Sequence, residues 1–444
     1  MYKCEWNILE KLEPMLTGAE LKARLKVLPD YAENITLESQ AVRLMALNNL
    51  HSFYLPSDMS VEIYTKLYLA MVRSMQKKES RLATLQRNAN SRNIRACAKG
   101  GEPSFGGIIG GSDSFSIIGC SGIGKSTAIA KAIALFGGEK VITMEHPYCK
   151  MVPVINVQCP FDCSAKSMLL AILQKVDQAL GTSYYENTVR AKANINTMLI
   201  STAQILLNHV SVVCIDEIQN LIKHRAGMQL VSMLTELLNE SGISIVFIGT
   251  PEIEPFFESV DYLARRTLGL HYDKCSYDNY FRNFCNELWK FQYVRNKTEI
   301  SDSIIHWLYE HSSGTLAHVI FLFYTAQEIS ILDERETTDI PALEAAYQRM
   351  GMLHTHIQPD LNFRKTAPKK KKNSSMAIHQ ETKTLTKEDG DRAAITEESI
   401  IQHPTENKQI ESWSFMDFAE QAKKGHSDML QLLKGKISIT EIAV

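Results

Sequence analysis

The nine residues GCSGIGKST (119–127) satisfy the pattern G-x-x-x-x-G-K-[ST]. An apolar run, FSIIG (115–119), leads into them, and a helical pattern, KSTAIAKAIALF (125–136), leads out. That order of strand, loop and helix is the context in which the motif reads as a phosphate cradle. Glycines let successive backbone N–H groups turn inward around phosphate oxygens, the helix start adds a partial positive charge, and a lysine adds a whole one. Gly119, Cys120, Ser121, Gly122, Ile123, Gly124, Lys125, Ser126 and Thr127 are therefore expected to hold the phosphates of ATP, with the Ser126 hydroxyl on Mg²⁺ and Thr127 beside it as a supporting hydroxyl.

Further strands are expected at VPVINVQC (152–159), SVVCID (211–216) and ISIVFIGT (243–250), near-continuous apolar runs of the kind buried on both faces of a parallel sheet. Helical stretches separate them, notably AKSMLLAILQKVDQAL (165–180) and MQLVSMLTELLNE (228–240). The fold class is thus α/β, a parallel sheet flanked by helices. After about residue 272 the strand signal stops. NYFRNFCNELWKF (279–291), SDSIIHWLYEHS (301–312) and LAHVIFLFYTAQEI (316–329) carry helical apolar periodicity and predict a small helical lid domain.

The chain divides into four regions: a mainly helical amino-terminal extension for partner or DNA contact (1–105), a nucleotide-binding domain (106–272), a helical lid (273–358) and a tail (359–444). The stretch GGEPSFGGIIGGSDS (100–114) reads as a hinge between the first two. Ahead of it, residues 72–99 hold eight Lys or Arg against one Glu, either a solvated helix face or a nucleic-acid contact. In the tail, residues 364–372 contain six basic residues and no acid, and the chain stays polar to about 409. Such a composition predicts a disordered linker, with the final segment from WSFMDF (413–418) as a partner-docking element or a terminal helix.

Composition narrows the function classes further. The formal charge of −2 over 444 residues says little by itself, so local runs decide. Nine cysteines without a CxxC pair predict reduced, mostly buried thiols in a reducing compartment. No membrane span is expected, because no apolar run approaches the roughly 20 residues one requires.

Asp216 and Glu217 end the strand SVVCID, where a P-loop protein holds its magnesium and polarises the attacking water. Asp216 is assigned to the metal and Glu217 to the general base, an arrangement that favours hydrolysis over transfer to a second substrate. Thr250 closes ISIVFIGT, in position to hydrogen-bond the γ-phosphate or the water, or simply to end the strand and cap the helix PEIEPFF. Arg265 and Arg266 in YLARRTLGL are candidates for a finger reaching the nucleotide of a neighbouring copy.

This order of parts resembles the AAA+ ATPases. Within them, "VVCIDEIQNL", "IVFIGTPEIEPFF" and "LARRT" look like the TnsC/TniB group of transposition regulators. The resemblance implies ATP-dependent rings or helical filaments on duplex DNA in the bacterial cytoplasm, with ATP and Mg²⁺ between copies. It also implies partners of two kinds, a target selector of the TniQ/TnsD type and transposase subunits of the TnsA/TnsB type, and disassembly on hydrolysis. The 91 residues between Lys125 and Asp216 leave room for the inserted helix that related proteins use to track DNA, which makes Lys150, Ser164 and Lys166 the candidate phosphate contacts. One departure is the lid stretch with Ser313, Gly314, Thr315 and His318, where no arginine stands; His318 is one candidate substitute. The alternative is a signalling or defence-type switch that does not act on DNA. A small-molecule kinase fits less well, given Glu217 and the helical lid.

Overall fold

The structure is a computed structural model, and it describes residues 11–350 except 102, 103, 105, 138, 139, 146, 147, 224–226 and 259–268. The expected linker and docking tail beyond 350 lie outside the described residues, as do Arg265 and Arg266.

Four helices come first: α1 (Gly18–Leu25), α2 (Gln40–Leu47), α3 (Asp58–Lys78) and α4 (Arg81–Ala98). After them come β1 (Phe115–Gly119), α5 (Lys125–Leu135), β2 (Ile142–Glu145), β3 (Tyr148–Gln158), α6 (Ala165–Leu180), α7 (Tyr184–Arg190) and α8 (Ile195–His209). Next are β4 (Val210–Asp216), α9 (Gly227–Ser241), β5 (Ser244–Gly249), α10 (Glu254–Glu258) and β6 (Leu270–Tyr272). The lid consists of α11 (Asn279–Trp289), α12 (Asp302–Ser312), α13 (Leu316–Leu332) and α14 (Ile340–Arg349).

The strands form one sheet in the order β2-β3-β4-β5-β1-β6, parallel except for the β2–β3 pair. β2 and β6 escape the sequence reading because each is a short edge strand without a long β-branched run. In the centre, successive side chains alternate between two cores, as the two-residue period of a strand requires. Val213 and Ile215 of β4 join Ile245 and Phe247 of β5 beneath α6, α8 and α9. Val212 and Cys214 join Val246 and Ile248 on the opposite face, beneath α3 and α5. A sheet buried on both faces ends its parallel strands along a single edge, and there the loops after β1, β4 and β5 meet.

The described amino-terminal helices pack both under the sheet and against the lid. α3 lays Ile63, Tyr64, Leu67 and Met71 into the core under the sheet. Ile35, Leu47, Leu50 and Phe53 instead share a core with Phe284, Leu288, Phe323 and Ala326 of the lid. A bidentate pair clamps the same join: the Arg43 guanidinium, 1% exposed, donates to both carboxylate oxygens of Glu336 at 2.6 and 2.5 Å. These hydrogen bonds hold the Glu336 carboxyl below its ordinary value.

The glycine-rich stretch before β1 is strapped down rather than hinged. Ile109 is buried with Ala83 and Leu207, and the Gln86 side chain accepts hydrogen bonds from the backbone N–H groups of Ile108 and Ile109. A Cβ at Gly111 would collide with Leu238, so glycine here serves close approach rather than flexure. Among the described residues no single helix is long and apolar enough to cross a membrane. The eight cysteines described are free, with the Cys159 and Cys163 sulfurs 4.0 Å apart.

Candidate nucleotide site

Gly124 opens α5 with φ of +98°, a left-handed turn that favours glycine and that brings the loop back over the helix start. Gly119 has no room for a side chain, because a Cβ there would lie 2.4 Å from the Tyr272 carbonyl oxygen. Between these two points the loop curls around Lys125, which is only 8% exposed. Its ammonium donates to the carbonyls of Gly119 at 2.6 Å and Cys120 at 2.8 Å. Burial lowers the Lys125 pKa, and the carboxylate of Asp216 opposes that shift.

Asp216 stands where β4 leaves the sheet. One carboxylate oxygen accepts from the Ser126 hydroxyl at 2.9 Å, and the other accepts from the backbone N–H of Glu217 at 2.8 Å. Hydroxyl and carboxylate oxygens are hard donors of the type Mg²⁺ takes alongside retained water, so this pair fits that ion. Glu217 comes next with φ of +59°, left-handed for a residue with a Cβ, at a cost on the order of 1–2 kcal/mol. The turn sends its exposed carboxylate toward Gln219, whose side-chain amide donates to it. The carbonyl of that amide accepts from the Thr250 backbone N–H at 3.4 Å. Thr250 makes no capping bond, and its hydroxyl is buried without a partner.

These groups line one cavity of about 240 Å³: Ser121, Gly122, Gly124, Lys125, Ser126 and Thr127 from the loop, Asp216, Glu217 and Gln219 after β4, Gly249 and Thr250 after β5, and Ala317 from the lid. The orphaned Thr250 hydroxyl and the ammonium bonded only to carbonyls are what a phosphate cradle without phosphate should present.

Residues 110–257 match the family described as AAA domain. No curated protein sequence matches the chain. Among solved structures, the Aeropyrum pernix ORC1 protein in complex with DNA matches at 16% identity and a TM-score of 0.40 over 59% of this chain and 64% of that one, so the chain spans less than two thirds of that protein's length. The Aeropyrum pernix ORC2 protein in its ADPNP–ADP complexes matches at 14% identity and 0.35, over 61% of this chain and 68% of that one. Drosophila ORC bound to DNA matches at 12% and 0.31, over 55% and 61%. The fold is that of an AAA+ P-loop protein, a mostly parallel sheet flanked by helices.

The lid meets the AAA domain at the start of α13. The backbone N–H of Ala317 donates to the Gly122 carbonyl at 3.2 Å, and a Cβ on Gly122 would meet the Thr315 methyl at 2.8 Å. A helix start, with its partial positive charge, therefore stands at the cavity where the sequence lacks an arginine. His318 is not among the cavity residues, and burial lowers its pKa.

The three candidate DNA contacts are not brought together. Lys150 sits near the start of β3, while Ser164 and Lys166 lie beyond its other end, ~26 Å away at the usual strand rise. Ser164 is the N-cap of α6, its hydroxyl accepting from the Ser167 N–H at 3.1 Å, so that hydroxyl is already in use. Asp162 adds an anion at the same turn, held ionised by the Ser167 hydroxyl and the cap. Lys150 is half-buried, and its carbonyl faces the His209 ring nitrogen at 2.8 Å. Lys166 is exposed. Sequence reasoning missed Gln219 and Ala317; Gln219 was within reach, since it lies three residues past Asp216 in DEIQN, but nothing in the spacing showed that it would turn back onto Glu217.

Proposed function

We propose that the chain is an ATP-hydrolysing, self-assembling AAA+ protein that binds duplex DNA in the bacterial cytoplasm and regulates transposition. In this reading it links a TniQ/TnsD-type target selector to TnsA/TnsB-type transposase subunits and leaves the DNA when ATP is cleaved. One observation carries the nucleotide part: Lys125, the Ser126–Asp216 pair, Glu217 and the unpartnered Thr250 hydroxyl converge on one cavity. The transposition part is supported by the likeness of VVCIDEIQNL, IVFIGTPEIEPFF and LARRT to the TnsC/TniB group.

The chemistry comes from the groups present. Phosphate oxygens take the place of the Gly119 and Cys120 carbonyls around the Lys125 ammonium. Ser126 and Asp216 would hold Mg²⁺, which would supply charge neutralisation. Glu217 accepts a proton from water as the water oxygen bonds the γ-phosphorus, and the bond from that phosphorus to the bridging oxygen breaks, releasing ADP. The Thr250 hydroxyl donates to the γ-phosphoryl oxygens or orients the water. Arg265 or Arg266 of a neighbouring copy completes the charge balance.

Electron microscopy with a non-hydrolysable ATP analogue, with and without duplex DNA, tests this function. Rings or filaments on DNA are expected; nucleotide-bound monomers indifferent to DNA overturn it in favour of a switch of the signalling class. Glu217→Gln should retain ATP binding, lose hydrolysis by roughly 10²–10⁴-fold and trap the DNA-bound assembly. Equal release rates for the two proteins remove Glu217 from its role.

A further inference from the structure

The eight basic residues of 72–99 divide into two groups once folded. Arg73 pairs with Asp113, the Lys77 ammonium donates to the Gly111 carbonyl at 2.5 Å, Lys78 is buried among three carbonyls, and Arg87 bonds Asn208 and the Lys78 carbonyl, both at 3.1 Å. Those four are consumed by the fold. The other four, Arg81, Arg92, Arg95 and Lys99, are exposed, and none forms an ion pair with another described residue.

Helix geometry places the second group on one line. At ~100° per residue, positions 81, 85, 88, 92, 95 and 99 fall within about 40° of a common direction. Ala83, Gln86 and Asn90, the buried residues of α4, lie on the opposite side, which fixes this line as the outward one. The stripe reads Arg81, Leu85, Asn88, Arg92, Arg95 and Lys99 over ~27 Å of helix rise. α4 contains no acidic residue at all. A solvated helix face normally alternates the sign of its charges. Here Arg92–Arg95 and Arg95–Lys99 are like-charge neighbours at i,i+3 and i,i+4, an arrangement that disfavours the isolated helix. An anion with closely spaced charges removes that repulsion, and duplex DNA offers one charge per ~1.7 Å of its axis.

We infer that the outward stripe of α4, Arg81, Arg92, Arg95 and Lys99, is the surface on which this chain takes the phosphate backbone of duplex DNA. The inference rests on the duplex-binding reading above and goes beyond it by naming the face, which the scattered Lys150 and Lys166 do not form. Recognition is by backbone charge, without base reading.

The test uses the full chain with a non-hydrolysable ATP analogue and a duplex of about 30 base pairs of arbitrary sequence, titrated between about 50 and 200 mM salt. The variant carries Arg81→Gln, Arg92→Gln, Arg95→Gln and Lys99→Gln together. Each lost phosphate contact lowers the slope of log K against log salt by about 0.9, so a slope about 3.6 units shallower and an affinity at least about 100-fold weaker at low salt are expected. Unchanged nucleotide affinity and thermal midpoint establish that the variant is folded. Equal slope and affinity for the two proteins overturn the inference and leave the stripe to an acidic protein partner. Failure of the unsubstituted chain to bind duplex overturns the duplex-binding reading itself, a result separable from the first.

Discussion

Lys78 and Lys125 both bury an ammonium group and both donate it to backbone carbonyls, at opposite edges of the sheet. Lys78 is 1% exposed and reaches three carbonyls, Leu206 at 2.6 Å and Leu207 and Ser241 at 3.2 Å, which close the last turns of α8 and α9 just before β4 and β5 begin. Lys125 reaches two carbonyls of a loop that borders a cavity with Asp216 and Glu217 across it. The first lysine adds a donor at helix ends outside that cavity, and the Leu206 carbonyl also accepts from the Val210 N–H, so its bonds serve the fold. The second holds its carbonyls only until a stronger acceptor arrives. Identical chemistry becomes a fastener in one place and a receptor in the other, and the difference is whether open space adjoins the ammonium.

Substitutions at the two lysines should separate along that line. Lys78→Met takes a donor from three helix-end carbonyls and is expected to destabilise the fold by about 3 kcal/mol in chemical denaturation while leaving nucleotide affinity within about a factor of two. A stability loss within error erases the contrast. The pH dependence makes it finer. Burial pushes the Lys78 pKa well below 10.5, so between its folded value and 10.5 the unfolded chain binds more protons than the folded one. Stability contributed by Lys78 is therefore complete above 10.5 and diminishes as pH falls toward the folded value. The wild-type advantage over Lys78→Met should grow as pH rises from the folded value toward 10.5, by at most about 1.4 kcal/mol per unit. The raised Tyr groups are common to both proteins and cancel in the difference, whereas Cys149, coupled to Lys78, is raised further in the variant.

Lys125→Ala should do the reverse: ATP affinity falls at least about 100-fold by calorimetric titration, about 2.7 kcal/mol, with a denaturation midpoint near that of the wild type. The smallest effect is expected at Gln219. Its amide joins Glu217 to the Thr250 backbone, so Gln219→Ala should lower kcat about tenfold, near ~1.4 kcal/mol, without changing KM. Gln219→Glu, of the same shape, places a second anion beside Glu217 and should move the acid limb of the kcat–pH profile upward. An unshifted profile with a normal kcat would show that Gln219 is only packing.

The sheet and its nucleotide edge were legible because local signals coincide there. Motif, apolar strand and helix start all lie within residues 115–136, and Asp216 and Thr250 end strands whose burial is written in their β-branched runs. Lys78 was not legible: it stands in a basic segment indistinguishable by composition from its solvent-facing neighbours, and its partners are 128 to 163 residues away. The packing of the amino-terminal helices on the lid was not legible for the same reason, since Arg43 finds Glu336 at a separation of 293 residues. The glycines of 100–114 signal freedom, whereas a Cβ at Gly107 or Gly111 would collide with Asn239 or Leu238, so two of them serve close approach. His318 does not line the cavity, which its place in the sequence could not show.

The bond from Ala317 to Gly122 turns the lid into a lever. α13 cannot slide without tugging the loop that grips the phosphates, and it is bolted to the first fifty residues by Leu50, by the Gln40 amide on the Ile331 carbonyl at 2.7 Å and by the Arg43–Glu336 clamp. Whatever grasps that end of the chain holds the long arm, and the short arm ends at Gly122.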